Sequence, residues 1–195
     1  MFFLPFSIVL LLLFILLLPV LFFLLQMKLV GHALVKLGIS PAVATLIFFL
    51  SIIGSLINIP LFLGEQNIAI NVGGAIIPLL LCIYLLPKVP IFKTIIAVVI
   101  SALIMNHLAH PVPMVGITIP MFIPPLVAVL LGFIFSPRNP TPVAYITGVL
   151  GVLIGADLMN LSQVTQVAGA GMMSIGGAGV YDGIFLVGII SALIG

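Results

Sequence analysis

Gly151-Val-Leu-Ile-Gly155-Ala-Asp157-Leu-Met-Asn160 and Gly177-Ala-Gly179-Val-Tyr181-Asp182-Gly-Ile-Phe185 each set one aspartate inside a long apolar run. The whole chain has one other acid, Glu65. An ionisable group in a bilayer costs roughly 2.5–3.5 kcal/mol on insertion scales, so such groups are rare and functional by default. Pro142 to Gly195 therefore reads as two membrane helices joined by a glycine-rich link, Gly169 to Gly179, with an acid on each helix. The rest of the chain is read around that pair.

The surrounding composition sets the class. Of 195 residues, 64% are hydrophobic and 4% charged, with a mean hydropathy of +1.59. A soluble domain has about 25% charged residues, so this is an integral membrane protein, multi-pass in the cell membrane. The length suits one domain over residues 1–195. Five basic residues make no nucleic-acid patch. The single Cys82 lies in an apolar run, so no internal disulfide can form. The N-terminal run lacks a basic flank and a small-residue cleavage site, and it outlasts a signal-peptide core, so it reads as a retained span.

An all-α, polytopic helical bundle of about seven spans is expected. The spans are placed at about 2–25, 41–63, 68–86, 91–107, 113–135, 141–161 and 174–195. Between the first two, Lys28, His32 and Lys36 recur every fourth residue, which predicts a separate interfacial amphipathic segment over 27–38. Lys28, Lys36, Lys88, Lys93 and Arg138 all fall in the odd connections. By the positive-inside rule those connections are cytoplasmic, with the N-terminus outside and the C-terminus in the cytoplasm. At 1.5 Å per residue, Asp157 then lies roughly 24 Å and Asp182 roughly 20 Å into a core of about 30 Å. Gly151-xxx-Gly155 and Gly179-xxx-Gly183 are close-packing patterns that favour contact between the two aspartate helices. Asn58, Asn71, Asn106, His107, Asn160 and Gln163 fall at the same level, as do Glu65, Gln66 and Asn67, and together they predict one outward-open polar cavity.

Two carboxylates a few ångströms apart share one proton. The ionised one can activate water while the protonated one polarises a peptide carbonyl. Asp157 and Asp182 are the expected catalytic pair of an intramembrane aspartyl protease. Tyr181, Gly179, Gly183, Asn58, Asn71 and Asn160 are the expected substrate-binding or supporting residues. The partners would be the lipid bilayer and transmembrane peptide substrates, and no cofactor is expected. The alternative is a small cation- or proton-coupled transporter or channel using the same aspartates as ion sites, with Asn58 and Asn71 as neutral ligands. His107, His110 and Glu65 form a weaker metal candidate, because Pro111 ends the helix beside the histidines. A purely structural role remains open too. There Asp182 caps span 7 through backbone amides near Gly179 and Val180, and Asp157 bonds Asn160 or Ser162.

Two resemblances accompany these readings. Gly179-Val-Tyr-Asp182-Gly-Ile-Phe185-Leu-Val-Gly188 resembles the Gly-x-Gly-Asp motif of presenilin-type intramembrane aspartyl proteases, and Ala156-Asp157-Leu is similar to their first aspartate motif. That resemblance implies that Asp157 and Asp182 are catalytic. Tyr181 replaces the second motif glycine, Ala156 stands where tyrosine is usual, and Pro124-Pro125-Leu126, upstream, is the nearest counterpart of the family's Pro-Ala-Leu element. Taken whole, the chain resembles the small prokaryotic polytopic family catalogued as domain of unknown function 1614. The resemblance rests on Asn71-Val-Gly-Gly-Ala-Ile-Ile-Pro78, Pro113-Met-Val-Gly-Ile-Thr-Ile-Pro120 and Ser174-Ile-Gly-Gly-Ala-Gly-Val-Tyr-Asp-Gly-Ile-Phe185. It implies a membrane fold and no established activity.

Overall fold

The computed structural model describes residues 6–63, 66–112, 116–163 and 173–195. The chain is predominantly helical. Three helices, Leu10–Lys36, Ile91–Leu108 and Pro140–Leu158, are long and apolar enough to cross a membrane.

Helix α1 runs unbroken over Phe6–Lys36. This corrects the separate interfacial segment at 27–38. No helix breaker lies between Leu25 and Lys36 except Gly31, and the cationic face simply continues the apolar rod. What ends the helix is Gly38 at φ 82°. Gly38 N–H donates to Val35 O (2.9 Å) and Ile39 N–H to Leu34 O (3.1 Å), a Schellman closure that needs a left-handed residue. Leu34 and Ile39 are both buried beneath it.

Helix α2 spans Pro41–Gly54, with proline at its first position. The expected span 41–63 stops there. Pro60 cannot donate to a helix, and the chain becomes strand β1, Asn58–Leu63. Strand β2, Gln66–Asn71, pairs antiparallel with β1. A later strand, β5 (Met173–Ile175), pairs parallel with β2, so the order is β1-β2-β5. Pro60 thus lies on an edge strand, where its missing N–H costs no ladder bond.

A π-helical turn, Val72–Ile76, leads from β2 into α3, Ile77–Leu85. Helix α4 spans Ile91–Leu108, as the expected span 91–107 does within a residue. Strands β3 (His110–Val112) and β4 (Gly116–Thr118) form a separate hairpin before α5, Ile123–Phe135. Helix α6, Pro140–Gly151, continues as a seven-residue π-helix, Val152–Leu158. A 3-10 turn, Gly179–Tyr181, precedes α7, Gly183–Ile194. The expected helices 41–63, 68–86, 113–135 and 174–195 are therefore each part strand and part helix, and the all-α expectation is corrected to helices with two small sheets.

Helix α6 is the centre. Thr141 through Val149 are all buried, the signature of a helix surrounded by others. Its small residues set the spacing. A methyl on Gly148 would meet Val187 Cγ1 at 2.9 Å, and one on Gly188 would meet Val149 Cγ2 at 2.6 Å. These contacts join α6 to an antiparallel α7. Gly151 and Gly155 instead face α4, against Ser101 and the Ala102 carbonyl oxygen. The expectation that Gly151-xxx-Gly155 mediates contact between the two aspartate helices is thus corrected, because Gly148 and Gly188 serve there. Gly179-xxx-Gly183 is no helix–helix seam either: a 3-10 turn separates the two glycines.

Gly155→Ala is expected to push α4 from the π-helix at a cost of about 1–3 kcal/mol, typical of overpacking. Gly183→Ala, whose methyl would meet its neighbours at an ordinary 3.6 Å, should change stability by less than about 0.5 kcal/mol. Thermal unfolding in detergent compares the two.

Candidate functional site

Because α6 and α7 are antiparallel, the end of the π-helix meets the start of α7. Asp157 is the sixth residue of the π-helix, and Asp182 is the N-cap of α7. Both are half-buried and line one cavity of about 310 Å³. Val152, Ala156, Leu186 and Val187 form its inner wall, and Ile117, Thr118 and Ile119, from β4 and the residue after it, form another side. A π-helix is rare and concentrates at functional positions, since its extra residue displaces a side chain from regular register.

The two carboxyls are held differently. Asp182 Oδ1 accepts the Ile184 N–H at 3.0 Å and Oδ2 accepts the Ala178 N–H at 3.4 Å. The structural role considered for Asp182 is therefore real, through amides on either side of those expected. Asp157 makes no hydrogen bond among the described residues. Its carboxyl faces the cavity, and no lysine or arginine lines that space.

Asn160 is 4% exposed and sits behind Asp157. Its Nδ2 lies 3.0 Å from the carbonyl oxygens of Gly155 and Ala156 and from Asn106 Oδ1. It ties the loose end of the π-helix to α4, so it supports the Asp157 backbone rather than touching the cavity. Gln163 Nε2 extends the cluster by donating to Asn160 Oδ1 at 3.4 Å.

Tyr181 and Gly183 line the cavity. The Tyr181 hydroxyl donates to Gln26 Oε1 of α1 at 3.3 Å, not to a carboxylate. Gly179, at φ 62°, lies outside the lining, and a methyl there would strike the Ser55 side chain. Its role is to seat the 3-10 turn on the end of α2.

Asn58 and Asn71 also lie outside the cavity. Asn71 Nδ2 donates to Ser55 O (2.9 Å) and Asn58 Oδ1 (3.0 Å), and Ser174 Oγ donates to the same Asn58 oxygen at 2.6 Å. These residues lock the sheet to α2. The one polar cavity expected from sequence is therefore separate places: an aspartate cavity walled mainly by apolar side chains, an asparagine cluster behind it, and a sheet lock.

Glu65 lies outside the described residues, as does the link over 164–172. His107 ends α4 and His110 begins β3, both exposed. Among the described residues no three of His, Cys, Asp and Glu gather to hold a metal ion. Sequence reasoning missed Gln26, Thr118, Ile119 and Val152. Gln26 alone carried a signal, as the one amide closing a Leu- and Phe-rich run.

The fold and site describe an apolar helical protein with paired carboxyls in a cavity at one end. The chain belongs to the family described as "Protein of unknown function (DUF1614)", which matches residues 45–194. No curated protein and no solved structure matches the chain.

Asp182→Ala should lose about 1 kcal/mol of stability with the N-cap, whereas Asp182→Asn should keep it, because asparagine caps as well as aspartate. Asn160→Ala should cost about 1–3 kcal/mol, since it abandons buried carbonyl oxygens. Thermal unfolding of the three variants in one detergent measures both effects.

Proposed function

We propose that the protein is a membrane-embedded aspartyl hydrolase that cleaves peptide bonds within the bilayer, with Asp157 and Asp182 as its catalytic pair. The observation carrying this reading is that the two acids line the same cavity from two different elements. The cavity's volume, about 310 Å³, is that of a small ligand site, about 300–1,000 Å³.

Asp182, whose oxygens accept two backbone N–H groups, acts as the ionised partner, since such bonds are strongest to a charged acceptor. It takes a proton from water as the water oxygen attacks the scissile carbonyl carbon. Asp157, which makes no hydrogen bond among the described residues, gives its proton to the carbonyl oxygen. As the tetrahedral diol collapses, the C–N bond breaks. Asp182 passes its proton to the leaving nitrogen, and Asp157 recovers one from the diol.

The membrane placement belongs to the same proposal. Seven spans in the cell membrane result if the shorter apolar helices Pro41–Gly54, Val72–Lys88, Ile123–Phe135 and Gly183–Ile194 are completed by the strands and turns at their ends. The basic residues support a cytoplasmic face at the opposite end from the acids. Lys36 Nζ donates to Leu193 O at the end of α7, and Lys88 Nζ donates to Leu37 O. This supports an N-terminus outside and a C-terminus inside, by the positive-inside rule. Transport is the weaker reading, because its neutral ligands, Asn58 and Asn71, are bonded to each other away from the acids.

The test is cleavage of a labelled single-span peptide by purified protein in detergent. Wild type should cleave it, and Asp157→Asn and Asp182→Asn should each lower the rate at least about 10²-fold, the lower range for losing an acid–base group. Because Asp182→Asn keeps the helix cap, a lost fold cannot mimic that result. Cleavage surviving in either variant would eliminate the dyad.

A further inference from the structure

A second concave site lies on the other side of α1. Met27, Lys28, Leu29, Gly31, His32 and Val35 of α1 face Pro41 and Thr45 across a cleft of about 590 Å³. Lys28, Gly31, His32 and Val35 recur at three- and four-residue spacing, so they share one helix face.

Gly31 is the unusual member. Glycine inside a helix is about 1 kcal/mol less favourable than alanine. Among the described residues every other glycine has a positive φ or a neighbour within 4 Å of where a methyl would stand, but Gly31 has neither. Neither helix packing nor backbone conformation explains it. What its missing side chain leaves is open space between the Lys28 and His32 side chains.

Those two side chains are also unused. Lys36 and Lys88 donate to carbonyl oxygens. Lys28 and His32 are exposed and have no hydrogen-bond acceptor among the described residues. Lys28 lies about 12 Å along the helix from Lys36, which in the membrane placement proposed above is toward the bilayer interior. Among the described residues no acid lines the cleft, while Met27, Leu29 and Val35 give it apolar walls. An ammonium at that depth, on an apolar surface, calls for an anion that is itself attached to hydrocarbon.

We propose that this cleft binds one anionic phospholipid. Its headgroup phosphate sits over Gly31 between Lys28 and His32, and an acyl chain lies along Met27, Leu29 and Val35. Basic pockets between helices at the cytoplasmic side recognise headgroups by this chemistry.

Native mass spectrometry of the full chain tests this, with phosphatidylglycerol and phosphatidylcholine of identical acyl chains offered in equal amounts. Wild type should retain phosphatidylglycerol preferentially, by about fivefold for the Lys28 ammonium. Lys28→Gln with His32→Gln should bring the two lipids to parity. Gly31→Leu should lower retention while its unfolding midpoint in lipid-free micelles matches wild type, because the new side chain enters empty space. Equal retention by wild type, or a preference surviving in the double variant, would overturn the proposal. So would displacement of the lipid by equimolar glycerol phosphate, which would make the site one for a free phosphate.

Discussion

Where the chain leaves regular helix geometry, a side-chain hydrogen bond closes the gap, and the acidic end of the molecule rests on that constraint. Asn71 Oδ1 accepts the Gly74 N–H at 2.9 Å at the start of the first π-helix. Asn160 Nδ2 reaches two carbonyl oxygens of the second. Asp182 takes one amide before α7 and one in its first turn. In an apolar surrounding an unpaired backbone group costs several kcal/mol, and no water is at hand to satisfy it. Each irregular segment therefore needs its own polar side chain, and a chain this poor in polar residues places them accordingly.

The two ends of the bundle are built by different rules. At the basic end, helices stop on glycine or proline, and lysines answer the last carbonyl oxygens, as with Lys36 at Leu193 and Lys88 at Leu37. At the acidic end the helices give way to strands, π-helices and a 3-10 turn. That irregularity opens the cavity. A regular α6 running straight into a regular α7 would bring backbones together along Gly148 and Gly188 and leave no concave space for Asp157. Asp182 serves both purposes: its carboxylate completes a helix and also faces the cavity.

The candidate pair was legible because an acid within an apolar run is conspicuous whatever the fold. The roles of its neighbours were not. The expected depth of Asn58, Asn71 and Asn160 grouped them with Asp157, yet Asn71 and Asn160 are bonded to backbone groups nearby and Asn58 to the Asn71 and Ser174 side chains. Depth along a helix fixes height but not which way a side chain points, and a polar residue in an apolar bundle goes to the nearest unsatisfied partner. Thr118 and Ile119 were hidden for the opposite reason: they are ordinary residues whose only distinction is where the hairpin sets them.

By itself the sequence determined an apolar, predominantly helical chain, the position of α4 to within a residue, and the two acids set within apolar runs. Composition and hydropathy carry those facts because transfer free energy adds residue by residue. Only the tertiary structure decided that 41–63, 68–86, 113–135 and 174–195 each divide between strand and helix, and that α1 runs on through 27–36. An apolar run of Leu, Ile and Val satisfies either state, and its length alone favours helix. The pairing of Ile68–Ile70 with Met173–Ile175 joins segments over a hundred residues apart. No local pattern can announce such a contact, because its free energy exists only once both strands are present.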